Sequence, residues 1–490
     1  MAKRIPAEAG KAQMLYESIL KWCAFGIGAF HISLSILYYF FESVTVTLRK
    51  VEKWAVLALM LAALFYLFYT KAKYPRLMPR IKTFMRGMFR VEAVLLVLLF
   101  VWFVICTISA DGRYTANFFE INDMYLYNVF VDAMILFPMA YYLSEGREKV
   151  FGAAFGVLTA IMTVTMLYVF WNVLHLNIID LPDGGQIGMT QIADDSRINA
   201  VRLSMNCHPN TTGAYSEVIM MICLCMALKK KGIGRIFYIF AFAVHFITMI
   251  LANSRACLYA SILAIMLITA KVLFDYLSGK KLLIRLLVCA AAAGLAGAAV
   301  LVLRDLIFNG FENITHMSAL LREMKEAATA TDSAAASGGA AAAAAETENA
   351  ARELSMNVSG RQIIWKAAIA SVFSDLKHIL CGVTPAGVIS EVNIHSNGVF
   401  KEYAHNQFLE IAVSLGIPGL IVYCVWLYRQ ASYCIKDTLK IAGAYLPAVM
   451  LMLVAANMME STLMFYWFLP ESAFFLVAGY ITYSHKKEKT

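Results

Sequence analysis

Residues 91–110 read VEAVLLVLLFVWFVICTISA, and residues 71–90 just before them read KAKYPRLMPRIKTFMRGMFR. The first stretch matches the roughly 20 apolar residues a helix needs to cross a hydrocarbon core about 30 Å thick. Backbone amides in lipid have no water to bond, so they must pair within the segment, which selects helix. A membrane barrel is excluded by the same stretch, because barrel strands alternate apolar and polar side chains. The second stretch carries Lys71, Lys73, Arg76, Arg80, Lys82, Arg86 and Arg90 without an acid. Lys and Arg concentrate in cytoplasmic linkers, so residues 71–90 set the orientation of the chain.

The same apolar pattern recurs in both directions. Twelve spans are predicted, at 22–41, 54–70, 91–110, 124–143, 150–171, 211–228, 236–253, 256–274, 285–303, 407–428, 441–459 and 463–483. The first is too long for a signal-peptide core and is read as a retained span. Alternation then puts the basic linkers 144–149, 229–235, 271–285 and 429–440 inside, with both termini. Linker 42–53, with Arg49, Lys50 and Lys53, falls outside, against the rule. The expected fold is an all-α polytopic protein, one integral membrane domain over residues 1–490. Two long outer segments follow, 172–210 and 304–404. The second lies between spans nine and ten and holds an alanine-rich, low-complexity insert at 327–351, flanked by helix-patterned stretches such as GRQIIWKAAIASVFSD at 360–375.

Composition supports this reading and excludes others. Of the 490 residues, 60% are hydrophobic and 15% charged, against about 25% charged in soluble domains. A soluble enzyme, a disordered chain and a disulfide-stapled secreted domain are excluded. The net charge of +9 is spread between apolar runs, so it reads as an orientation signal rather than a nucleic-acid surface. The ten Cys have no zinc-type spacing; a Cys207–Cys381 disulfide is compatible with the topology. His31, His175, His245 and His378 show no ligand spacing and read as packing or surface residues. With no Asp-x-Asp in the outer segments, neither a metal nor another cofactor is expected.

Three outer features can carry chemistry. RLSMNCHPNTTG, at 202–213, places Arg202 ten residues before Gly213, with a Pro209–Asn210 turn and Thr211 or Thr212 as a helix cap. A helix N-terminus beside an arginine suits an anion; a solvated loop arginine is the plainer reading. ANSRACLYA puts Arg255 between two spans at the outer interface, either snorkelling or gripping a phosphate with its planar fork. HNQFLEIAVSLGIPG sets His405 and Asn406 ahead of Gly416 and Gly419, which flank Pro418 and predict a kink. His405 can accept a proton near neutral pH. Arg361 lies one helical turn before Trp365, on which it could stack, or it could contact a sugar or phosphate. Asp132, Glu217 and Glu471 fall within spans and must face the interior; pairing of Glu217 or Glu471 with Arg202 or Arg255 is expected.

On these elements the chain resembles the O-antigen ligase / O-antigen polymerase family over roughly residues 195–483. The resemblance implies a GT-C-type membrane glycosyltransferase. Its donor would be an undecaprenyl-diphosphate-linked glycan and its acceptor a glycan or lipid, joined at the outer face of the cytoplasmic membrane. It implies His405 as the catalytic residue, Arg202, Arg255 and Arg361 as diphosphate-binding residues, and part of the outer loop as a helical cover. Asn406, Glu217, Asn210 and Trp365 are expected in support. Two guanidiniums would stabilise charge growing on the leaving diphosphate, and His405 would deprotonate an acceptor hydroxyl attacking from the opposite face, giving inversion. The competing reading is a transporter or flippase of lipid-linked oligosaccharide, in which Arg202, Arg255 and His405 would lie scattered.

Overall fold

The computed structural model describes residues 7–38, 42–73, 90–110, 118–142, 148–175, 177–180, 186–192, 200–205, 208–316, 358–396, 403–440, 445–466 and 469–487. Among these, eight helices are long and apolar enough to cross a membrane. Their outward faces carry large apolar side chains such as Trp54, Phe65, Phe68, Trp171 and Leu295, the surface that lipid covers in a multi-pass membrane protein.

Helices α1 (Ala7–Tyr38) and α2 (Glu42–Lys73) form a pair, followed by α3 (Val91–Ser109). Helix α4 (Phe118–Val131) passes through a π-turn at Asp132–Leu136 into α5 (Phe137–Tyr142), and α6 spans Glu148–Leu174. Residues 42–53, read from the sequence as a linker, are instead the first turns of α2, in which Arg49 is buried, Lys50 is exposed and Lys53 pairs with Asp123 at 2.5 Å.

A small antiparallel sheet, absent from the sequence reading, occupies the segment after α6. Its order is β1 (Ile179–Asp180), β2 (Gln186–Ile192), β3 (Ala200–Ser204). Ile187, Met189 and Leu203 alternate along the strands and bury into the main core, the period-2 pattern of a half-buried strand. Helices α7 (Pro209–Lys229) and α8 (Ile233–Ala252) then pack along each other, and α9 (Arg255–Tyr276) packs along α10 (Leu282–Thr315). Helix α10 therefore runs well past the predicted span end at 303. The alanine-rich insert at 327–351 and Cys207 lie outside the described residues.

Three helices follow, α11 (Val358–Val372), α12 (Leu376–Cys381) and α13 (Thr384–Ser396). The helix expected at 360–375 is α11. A second, smaller core of Ile364, Ala368, Val372, Val388 and Val392 docks α11 and α13 onto Ala412 and Val413 of α14 (Gln407–Lys440). Helix α14 breaks where the sequence placed a kink. Gly416 has φ +68°, and a Cβ there would lie 2.5 Å from the Leu380 carbonyl oxygen. Only glycine meets both demands. Pro418 adds no amide donor two residues on, and the Trp102 indole donates to the Leu415 carbonyl at 2.9 Å.

The last two predicted spans come out shorter. Helix α15 is Leu446–Ala456 and α16 is Leu469–Lys487. Between them residues 457–466 are non-helical, because Asn457 turns the chain: its side-chain oxygen accepts the Thr462 amide at 2.6 Å. The predicted span at 124–143 is the helix interrupted by the π-turn, and α1 holds a short apolar stretch, Phe25–Tyr38.

Candidate active site

Residues 457–466 carry Glu460, a carboxylate 3% exposed that gathers four donors from three other parts of the chain. Asn210 Nδ2 donates to its Oε1 at 2.9 Å and Arg361 Nη2 to the same oxygen at 3.0 Å. The Tyr403 hydroxyl donates to Oε2 at 3.3 Å, and His405 Nδ1 lies 3.3 Å from that oxygen. Burial alone would raise the Glu460 pKa. The His405 hydrogen bond and charge, with Arg361 and His208 nearby, outweigh it and hold the group below its ordinary 4.5. Glu460 is thus ionised at neutral pH and acts only as an acceptor.

His405 reaches this position through a strained turn. Its φ is +48°, a left-handed conformation uncommon outside glycine. Such strain persists only where the surroundings over-determine it, and they do. Before it, the Ala404 amide donates to Glu410 at 2.7 Å and the Ala404 carbonyl accepts the Trp365 indole at 3.1 Å. After it, Asn406 caps α14 by accepting the Phe408 and Leu409 amides, while its own amides donate to Ser461 and Met458. The imidazole sits against the Tyr403 ring, centroids 4.5 Å apart. Asn406 and Trp365 therefore fix the backbone on either side of His405. Trp365 does so by its indole N–H, and Arg361 turns to Glu460.

Arg202, on β3, serves a neighbouring turn. Its Nε donates to the Ala252 carbonyl at 3.0 Å, and its Nη2 donates to the Asn253 carbonyl at 3.0 Å and to Asn210 Oδ1 at 2.6 Å. The first two acceptors end α8, where carbonyls lack helical partners and attract a cation. Gly213 serves the same turn from α7: a Cβ there would lie 2.7 Å from the Ser254 Cβ. The Arg202-to-Gly213 spacing thus has a structural meaning, since both ends seat the α8–α9 turn. Asn253 reverses the chain at φ +50° and Arg255 opens α9, exposed and without a polar partner among the described residues.

The helix cap expected at Thr211 or Thr212 lies earlier. Pro209 occupies the first turn, so the cap is His208, whose Nδ1 accepts the Asn210 amide at 3.2 Å. Thr212 instead accepts the Met205 amide at 3.1 Å, tying the sheet to α7. Glu217 pairs with neither arginine. It accepts from Ser261 at 3.3 Å, below Cys257 on α9. Glu471 lies beside Asp132 and Arg49 instead.

Arg202, Asn210, Arg361 and His405 are therefore linked in one hydrogen-bonded network, with Asn406 and Trp365 in the adjoining backbone. Arg255 borders it by sequence and turn, and Glu217 stands apart. The hub, Glu460, was missed because it falls between two apolar runs that read as separate spans. The signal was present: it is a lone acid at their junction, at the same predicted face as His405.

The chain finds no match among curated proteins. Residues 218–424 match a family model described as O-antigen ligase. That region begins in α7 and ends in α14, so it includes Arg255, Arg361 and His405. The match covers less than half of the chain and agrees with the resemblance to the O-antigen ligase / O-antigen polymerase family carried by the sequence elements.

Proposed function

We propose that this protein transfers or polymerises a glycan carried on undecaprenyl diphosphate, at the outer face of the cytoplasmic membrane, with inversion and without a metal. The observation that carries the reading is the Glu460 hub, which joins His405, Arg361 and, through Asn210, Arg202. A transporter has no need to gather an imidazole, one guanidinium and, through Asn210, a second from three distant segments around one carboxylate.

The chemistry follows from the donors. With Glu460 ionised, His405 Nδ1 carries the hydrogen and Nε2 keeps its lone pair. That is the arrangement in which a carboxylate holds a histidine in the tautomer of a general base. Nε2 takes the proton from an acceptor hydroxyl, whose oxygen attacks the anomeric carbon opposite the diphosphate. The bond from that carbon to the phosphate oxygen breaks, and its electron pair leaves with the lipid diphosphate. Arg255, exposed at the first turn of α9, meets that charge with the helix amides. Arg361 completes the cationic side of the site. Arg202 holds the turn that aims Arg255. The twelve-span topology, with both termini cytoplasmic and the 304–404 loop outside, is part of the same proposal; α11 and α13 act as its cover over the site.

The test is a cell in which His405 is replaced by Ala. Lipid-linked repeat units accumulate and surface glycan is lost at unchanged protein level. Normal glycan output from that variant removes the general-base role.

A further inference from the structure

The bundle holds a second polar cluster, which joins His31, Asp132 and Glu471 to Arg49, Glu52 and Asn128. His31 on α1 lies 2.7 Å from Glu52 on α2, and Arg49 Nε lies 4.0 Å from the other Glu52 oxygen. Arg49 Nη2 donates to Asn128 Oδ1 on α4, and Asn128 Nδ2 donates to the Phe465 carbonyl at 2.9 Å. Helix α16 packs on the π-turn, which sets Glu471 beside Asp132 and both near Arg49. They are 1% and 0% exposed, and among the described residues none of their four oxygens has a hydrogen-bond partner in ordinary geometry, although the Phe465 amide lies beside Glu471.

Two ionised carboxylates can only accept hydrogen bonds, so as anions they would leave four buried acceptors unmet and repel each other. One proton between them resolves both problems, turning one carboxyl into a donor to the other. Charge counting agrees. Glu52, Asp132 and Glu471 supply three acids, whereas Arg49 and His31 supply at most two cations, and His31 is already committed to Glu52. Among the described residues, Tyr127 and Tyr423 are the other titratable groups facing the cluster from α4 and α14; neither can supply a cation. The backbone is adapted at the same point, since the π-turn begins at Asp132, and single π-turns recur at functional positions.

We propose that Asp132 and Glu471 form a proton-binding site within the bundle, holding one shared proton at working pH. The site is tied to the Glu460 segment through Arg49, Asn128 and the Phe465 carbonyl. Phe465 sits at φ +77° and is fully buried, so its peptide depends on that hold. Loss of the proton at alkaline pH draws Arg49 toward the two anions and loosens Asn128, which lowers turnover independently of His405.

The test is infrared spectroscopy of the purified full-length protein at neutral pH, which does not depend on the glycan-transfer reading. The wild-type spectrum minus that of Glu471→Gln carries a positive carbonyl band of a protonated carboxylic acid, shifted in D2O. The glutamine amide supplies a permanent donor, so the remaining aspartate is ionised and the band is lost. Asp132→Asn provides the same comparison should Glu471→Gln fail to fold. A flat difference spectrum from the folded variant overturns the proposal. In the glycan-transfer assay, Glu471→Gln loses the alkaline fall in turnover that wild type shows; an alkaline limb identical to wild type also overturns it.

Discussion

Replacing Glu460 with Gln tests the hub with the least change of shape. The carboxylate meets four donors on two oxygens: Asn210 and Arg361 on Oε1, Tyr403 and His405 on Oε2. Glutamine has one oxygen and one amide. With its oxygen kept toward Asn210 and Arg361, its N–H groups face Tyr403 and His405. The tyrosine hydroxyl can rotate and accept, and the imidazole then turns Nδ1 into an acceptor. Its hydrogen moves to Nε2, the atom required as a base. A correctly placed general base contributes roughly 10²- to 10⁴-fold, so turnover falls by that factor, equivalent to about 3–5 kcal/mol at ~1.36 kcal/mol per tenfold. Folding suffers less, by about 1–3 kcal/mol for an imperfectly met charged donor, because Arg361 is partly in water. The assay is glycan transfer by reconstituted protein, read beside its thermal midpoint. The signature is a large loss of turnover with a small loss of stability. Wild-type turnover from Glu460→Gln would refute the tautomer argument, and equal loss of both would make Glu460 a structural residue only.

Three further outcomes are expected. Because the fold holds Glu460 below 4.5, the folded protein binds that proton less readily than the unfolded chain. The resulting stability is complete above 4.5 and fades as pH falls through the lowered value; thermal midpoints measured down to about pH 4 should fall less steeply in Glu460→Gln than in wild type. Gly416→Ala combines a left-handed backbone, costing about 1–2 kcal/mol, with overlap on the Leu380 carbonyl, so it lowers the thermal midpoint sharply; an unchanged midpoint would show that the break relaxes freely. Arg255→Lys replaces a planar fork with a point charge and lowers turnover while the protein level stays constant, whereas unaltered turnover would leave Arg255 a snorkelling residue.

The apolar runs made the helical membrane fold legible, and GIPG at 416–419 foretold the break in α14. Glycine and proline act through the local backbone, so their effect can be read from a short stretch. The α11 helix was visible for the same reason, in its apolar spacing. The β1–β3 sheet was not, because its short strands bury their apolar residues against helices brought there only by the fold. His405 was found by type and spacing, yet its partner lies 55 residues away in a segment read as the junction of two spans. Arg202 was chosen as an anion ligand, and its bonds to Ala252 and Asn253 show it ordering the turn beside Arg255. Sequence spacing singled out Arg202 and Arg361, which the fold joins through Asn210 and Glu460, while the bonds each makes depended on which acceptors came within reach. The carboxyl pair at Asp132 and Glu471 shows the same limit: each was legible as a buried acid, but not as the neighbour of the other.

The most direct measurement follows purified protein in vesicles with a labelled lipid-diphosphate-linked glycan and an acceptor, counting lipid diphosphate released against glycosidic bonds formed. The account predicts one release per bond for wild type, and both slowed together by about 10²-fold or more in His405→Ala. Equal rates in the two proteins, or release without bond formation in wild type, would contradict it.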